Sequence, residues 1–193
     1  MPDYHELKMI ENYIYLYHTQ TFLVIPVFNE SVNDTMGVNF QKSTPMSRSA
    51  PIYSYSDSGP RSLQVNLHLH RDMFTQMNQN VSNVPVTPGD DYVDTLIKQV
   101  QAAALPVYGA SEKLVDPPMV AVRFGNDIFI KGVVTGSVGV TYGLPIMEDN
   151  KYADIQISFT VEEVDPYDAQ QVLEAGSFRG FDSSLERNVW NTK

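Results

Sequence analysis

Apolar and polar residues alternate with a period of two at several places along this chain. In SLQVNLHLHRD, residues 62–72, Leu63, Val65, Leu67 and Leu69 fall on one side of an extended backbone, and Gln64, Asn66, His68 and His70 on the other. The pattern predicts a half-buried strand with both histidines on the wetted or partner-facing side. Residues 35–42 repeat it, with Met36, Val38 and Phe40 against Gly37, Asn39 and Gln41. So do residues 152–162, where Ala153, Ile155, Ile157, Phe159 and Val161 oppose Asp154, Gln156, Ser158, Thr160 and Glu162. One-faced strands of this kind belong to antiparallel sheets.

Between residues 118 and 142, Val120, Val122 and Phe124 alternate into Gly125-Asn126-Asp127, and Ile128, Ile130, Val134, Val138, Val140 and Tyr142 continue beyond it, which predicts a hairpin. An unbroken second arm would run roughly 50 Å at ~3.3 Å per residue, so it is expected to bend or to project. Gly132, Gly136 and Gly139 lie within it, where a bulge or the close approach of a helix would use them. One helix is predicted from TPGDDYVDTLIKQVQAAALP: Thr87 as a cap, Pro88 in the first turn, and Val93, Leu96, Ile97, Val100 and Ala104 at helical spacing until Pro106. Residues 43–61, rich in Ser and Pro, read as irregular with a short extended piece at 52–56, and residues 72–88 as a polar connection. The expectation is one domain over residues 1–193, mainly β (α+β), an antiparallel β-sandwich or rolled sheet with one packed α-helix, and with extended arms at 1–20 and 176–193. The second arm holds the sole tryptophan, Trp190.

Composition narrows the possible chemistry. With 13 Lys and Arg against 23 Asp and Glu, the net charge is −10, which opposes stable binding to nucleic acid. Residues 148–193 hold ten acids and four bases, −6 of that total, so the negative charge gathers toward the C-terminal part. Such a surface lets a polyanion pass without sticking, although solubility alone also accounts for it. The absence of cysteine excludes disulfides and thiolate metal ligation. The N-terminus MPDYHELKMIENY is acidic where a signal peptide is basic, and the most apolar run, FLVIPVF at 22–28, is far shorter than a membrane span. A soluble chain without a membrane anchor is expected, made in the cytoplasm.

No arrangement of residues points to catalysis. His68 and His70 face the same way, but zinc needs more ligands, and only His5 and His18 remain to supply them, so polar strand-face residues are the favoured reading and no metal is expected. The triplet His70-Arg71-Asp72 matches a kinase catalytic loop in letters only, without the glycine-rich loop and paired lysine. Glu162, Glu163, Asp165, Asp168 and Glu174 contain enough carboxylates for a glycosidase, but a run of acids is more often a solvated surface. No nucleophile elbow or phosphate loop is present, so no catalytic, cofactor or metal residue is assigned.

Taken together, SYSDSGPR leading into SLQVNLHLHRDM, the helix DDYVDTLIKQVQAAALP, and PPMVAVRFGNDIFIKGVVTGSVGVTYGLPI with YADIQISFTVEEVDPYDA resemble baseplate proteins of contractile-tailed bacteriophages. More narrowly, they are similar to the tube-related hub or tail-tube initiator proteins on which the tail tube assembles. The resemblance covers roughly residues 35–179. It implies a tail-tube-like fold, a structural virion role, and a homo-oligomer, usually a hexameric ring, that docks neighbouring hub and tail-tube proteins. DNA would pass through the lumen without specific binding. The alternative is a virion β-sandwich that binds host-surface carbohydrate or a receptor, for which Tyr53, Tyr55 and Trp190 are the candidate aromatics.

Overall fold

The computed structural model describes residues 12–25, 32–74, 88–106, 118–165 and 167–185. Seven strands, β1 (Asn12–Leu16), β2 (Thr21–Val24), β3 (Val32–Ser43), β4 (Ile52–His70), β5 (Met119–Phe124), β6 (Ile128–Ile146) and β7 (Tyr152–Glu163), form one sheet in the order β2-β1-β5-β6-β7-β4-β3. Every pairing is antiparallel. Among the described residues, three helices accompany it: α1 (Arg71–Phe74), α2 (Tyr92–Ala102) and α3 (Ala169–Ala175), the last followed by a 3-10 turn at Gly176–Phe178. The chain is a mainly β, α+β protein, as its alternation predicts.

The alternation in β4 becomes burial directly. Leu63, Val65, Leu67 and Leu69 are at most 2% exposed, while Gln64, Asn66 and His68 are exposed. Each buried aliphatic side chain contributes about 1.5–3 kcal/mol, so a slip of one residue in register would cost far more than a local contact. These residues join Ile155, Ile157, Phe159 and Val161 of β7, Ile14 and Leu16 of β1, and Leu23 of β2 in one core with α2. Because strands from both ends of the sheet reach this core, a single sheet rolled about α2 describes the fold, and two sheets face to face do not.

α2 begins later than its proline suggests. Asp91 is the N-cap, and it forms a reciprocal capping box in which Asp94 N donates to Asp91 Oδ1 at 2.7 Å and Asp91 N donates to Asp94 Oδ2 at 3.4 Å. Thr87 lies outside the described residues. Val93, Leu96, Ile97 and Val100 form the buried stripe, as their spacing predicts.

β1 and β2 are covered on both faces. Tyr13, Phe22, Val24, Ala121 and Phe129 turn away from α2 into a second cluster, closed by Leu185 with Phe178 and Phe181 packed against it. Within the arms expected at 1–20 and 176–193, residues 12–16 are therefore buried strand, and residues 178–185 cap a core. Trp190 lies outside the described residues.

Residues 43–61 depart most from expectation. Only the short stretch between Ser43 and Ile52 is loop, since β4 is continuous from Ile52 to His70 and pairs with β3 from Ser43↔Ile52 to Val32↔Val65. Pro60 is accommodated beside the register shift between Met36 and Val38, a bulge at which the ladder does not require its missing N–H. β6 resolves its excess length by bending, with register shifts between Thr135 and Gly139 and between Gly143 and Ile146. Gly136 occupies the first of these at φ 74°. Gly132 admits the β7 backbone, not a helix: a Cβ there would lie 1.8 Å from Glu162 O.

Candidate functional site

The outer face of β4, β7 and the distal half of β6 carries a polar surface laid out in rows. Across the register, Gln64 stands beside Thr160 and Thr135, Asn66 beside Ser158 and Gly139, and His68 beside Gln156 and Thr141. These rows contain no Lys or Arg. Glu162 bounds them at one end and Asp154 at the other, where His68 Nε2 is hydrogen bonded to Asp154. A shallow hollow of about 380 Å³ lies among Asn66, His68, Thr141, Gln156 and Ser158. His70 Nδ1 points instead toward Asp72, 3.8 Å away. The two histidines thus take different carboxylate partners, and among the described residues no group of three or more His, Asp or Glu is placed to hold a metal ion.

Two charge clusters secure the elements behind this face. Arg71, 5% exposed at the end of β4, donates from Nε to Tyr152 O at 2.7 Å and from Nη2 to Asp94 Oδ1 at 2.8 Å, and it also pairs with Asp91. Lys151 Nζ donates to Asp94 Oδ2 at 2.6 Å. Burial opposes ionisation of Asp94, but hydrogen bonds from Arg71 and Lys151 outweigh it and hold the carboxyl well below the usual carboxylate range. The Arg of the His-Arg-Asp triplet therefore locks the N-terminus of α2 to the sheet.

The second cluster lies where β3 and β4 leave the sheet. Arg61, 3% exposed, donates through Nε and Nη2 to the two Asp34 oxygens at 2.9 Å each, through Nη1 to Phe129 O at 2.9 Å, and through Nη2 to Ser177 O at 2.8 Å. Glu163 accepts from Arg179 Nη2 at 2.9 Å, and the Arg179 guanidinium lies 4.9 Å from the Tyr167 ring centre. Burial pushes the Glu163 carboxyl up, against the pull of Arg179 and Arg61. Of the five acids read as a candidate carboxylate pair, Glu163 is locked here, Asp168 caps α3, Asp165 lies 3.9 Å from Lys131, and Glu174 accepts from Gln170. Glu163, Asp165 and Asp168 line one groove, each with the partner just named. Sequence does hold a sign of this cluster: Arg61 and Glu163 extend the buried parity of Leu63 and Val161, which is where a charge needs partners.

Beyond Ser62, β4 no longer pairs with β7, and residues 36–43 and 52–60 continue as a two-stranded arm. Met36, Val38, Phe40, Tyr53 and Tyr55 are 49–60% exposed on it, with the Phe40 and Tyr55 rings edge to face at 5.8 Å. A second exposed apolar group, Tyr142, Leu144, Ile146 and Tyr152, lies at the β6–β7 end. Between the root of the arm and α3 runs a groove of about 930 Å³, walled by Met36, Tyr55, Val172 and Leu173, with Arg61, Glu163 and Arg179 among its lining residues.

No protein-family model matches the chain, and no curated protein matches it. The functional reading therefore rests on these surfaces and on the resemblance of the sequence.

Proposed function

We propose that this chain is a structural virion protein of a contractile phage tail, forming a ring at the baseplate hub or the start of the tail tube around the DNA channel. It works by self-association and by docking neighbouring tube and baseplate proteins, with no catalytic step. The observation that carries the reading is the uncovered face of β4, β7 and distal β6, whose rows of Gln, Asn, Ser and Thr, with His68 toward one end, are backed by a full core and carry no Lys or Arg. A wall that DNA slides along needs hydration without phosphate-neutralising Lys and Arg. Open edges support the same reading. Among the described residues, the outer side of β3 pairs with no strand, and neither does the side of β6 beyond Val133 that faces away from β7. In a monomer such edges invite aggregation, and ring closure removes them. The three strands of this face with the adjoining β3 make four, and at about 4.8 Å each they span roughly 19 Å of wall, so six copies would enclose a circle of roughly 115 Å, about 37 Å across between backbones. A DNA duplex fits within that.

A carbohydrate- or receptor-binding virion module is the second reading, favoured by the exposed Phe40, Tyr53 and Tyr55. Phe40 and Tyr53 lie on the ribbon, and Tyr55 alone of the three lines the groove, so a flat protein partner suits them better than a sugar. Cryo-electron microscopy of the phage particle carrying this chain separates the two. Ring density around the channel where tube meets baseplate supports the proposal, and density on peripheral fibres or none at all overturns it.

A further inference from the structure

We infer that the β3–β4 arm of one copy docks, tip first, into the groove between arm root and α3 of a second copy of this chain. The inference rests on the ring reading and names the contact that would build the ring. Both surfaces are apolar and uncovered: Phe40, Met46, Ile52 and Tyr53 on the arm, and Met36, Tyr55, Val172 and Leu173 along the groove. Their charges are opposite. Between Asp34 and Asp57 the chain has no acidic residue, yet it carries Lys42 and Arg48, so the outer part of the arm, beyond Asp57 at its root, is a basic projection on a chain of net charge −10. The groove lining presents Asp57, Asp165 and Asp168 to solvent, while its two arginines, Arg61 and Arg179, are buried in ion pairs with Asp34 and Glu163. A basic apolar tip facing an acidic apolar groove is complementary in both respects.

Reach and symmetry are compatible with this contact. The eight residues from Met36 to Ser43 extend about 26 Å at ~3.3 Å per residue, so the tip stands well clear of the groove at its own root and meets that of a neighbour. The two surfaces are different patches of the same chain. Joining them is a heterologous contact, which closes into a ring when the rotation between copies allows.

The chain has no cysteine, so an introduced pair forms a unique disulfide. Thr44→Cys on the tip and Ala169→Cys on the groove are prepared as separate proteins, mixed at the highest soluble concentration, and oxidised. The expected result is a cross-linked dimer in the mixture at several times its yield in either variant alone, and a ladder of closed oligomers from the double variant. Arg48→Asp should raise the concentration needed for assembly at least roughly tenfold, and Asp165→Arg in the same chain should restore it. Rings seen by negative-stain microscopy without enrichment of the mixed cross-link would overturn the arm contact and leave the ring reading standing. A monomer that shows no cross-link overturns the contact as well, and the ring reading is then decided separately by the particle density. In particles carrying both variants, a disulfide from Ala169→Cys to a different tail protein assigns the groove to that protein and overturns the inference.

Discussion

At Glu163, burial and charge pull in opposite directions. Its carboxyl is pushed above the ordinary 4.5 by desolvation, although Arg179 and Arg61 draw it down. Asp34 and Asp94 go the other way, because the hydrogen bonds each receives from arginine outweigh burial and depress them below 3.8. A raised carboxyl binds its proton more tightly in the folded state, so its protonation adds stability as pH falls through the raised value. A depressed carboxyl contributes stability above its unfolded value and loses it as pH falls toward the folded one. The melting temperature should therefore hold or rise slightly from neutral pH to just above 4.5, then fall below 3.8. Glu163→Gln should flatten the upper limb, leave the lower one, and cost under about 1 kcal/mol, whereas Glu163→Ala should cost about 3 kcal/mol by stranding Arg179. Thermal melts of both variants from pH 7 to pH 3 check this. Arg71→Ala leaves Asp91 and Asp94 with Lys151 as their cation and takes the Arg71 donor from Tyr152 O. It should cost about 3 kcal/mol, or a melting temperature lower by about 6–12 °C.

β6 shows how a strand of excess length is fitted to a curved sheet. Gly132 has no side chain because β7 passes where a Cβ would be, so Gly132→Ala should force the strands apart and cost about 3 kcal/mol, the upper end of overpacking. Gly125, in the turn at φ 58° with open space around it, should lose only about 1 kcal/mol on mutation to Ala, through backbone strain alone. Chemical denaturation of the two variants tests the order. Elements with one buried face were legible in the sequence, since Leu63 to Leu69, residues 153–161 and the α2 stripe repeat at the period of their backbone. Three features were not. In the distal arm Met36, Val38 and Phe40 alternate as a half-buried strand would, yet both faces meet solvent, while residues 52–60 on the paired strand carry no such period and Pro60 at a bulge looks like a strand breaker. β1 is covered on both sides, so NYIYL shows no alternation. The cap of α2 lay hidden because Thr87-Pro88 gives a stronger local signal than Asp91, whose role depends on Arg71 twenty residues away.

Over the whole molecule, the net charge of −10 is arranged so that the sheet face opposite α2 carries almost none of it. Solubility alone would place acids on the broadest exposed face, but its rows hold Gln, Asn, Ser and Thr, with Glu162 and Asp154 at their ends. That asymmetry has a measurable consequence if the face lines a DNA channel. Asn66→Lys and Gln156→Lys lie in adjacent rows, both exposed and outside the core, so together they should change folding stability by no more than about 0.5 kcal/mol. In a ring the added charges multiply by the number of copies and line the path of the phosphates. The double variant should assemble like the original yet slow DNA release from the particle, with the delay shrinking as salt is raised, because phosphate contacts release counterions. Single-particle ejection kinetics at two salt concentrations measure it. Normal, salt-independent release from correctly assembled particles would mean that this face looks onto solvent or a neighbouring protein, and the wall would have to be sought on another surface of the same ring.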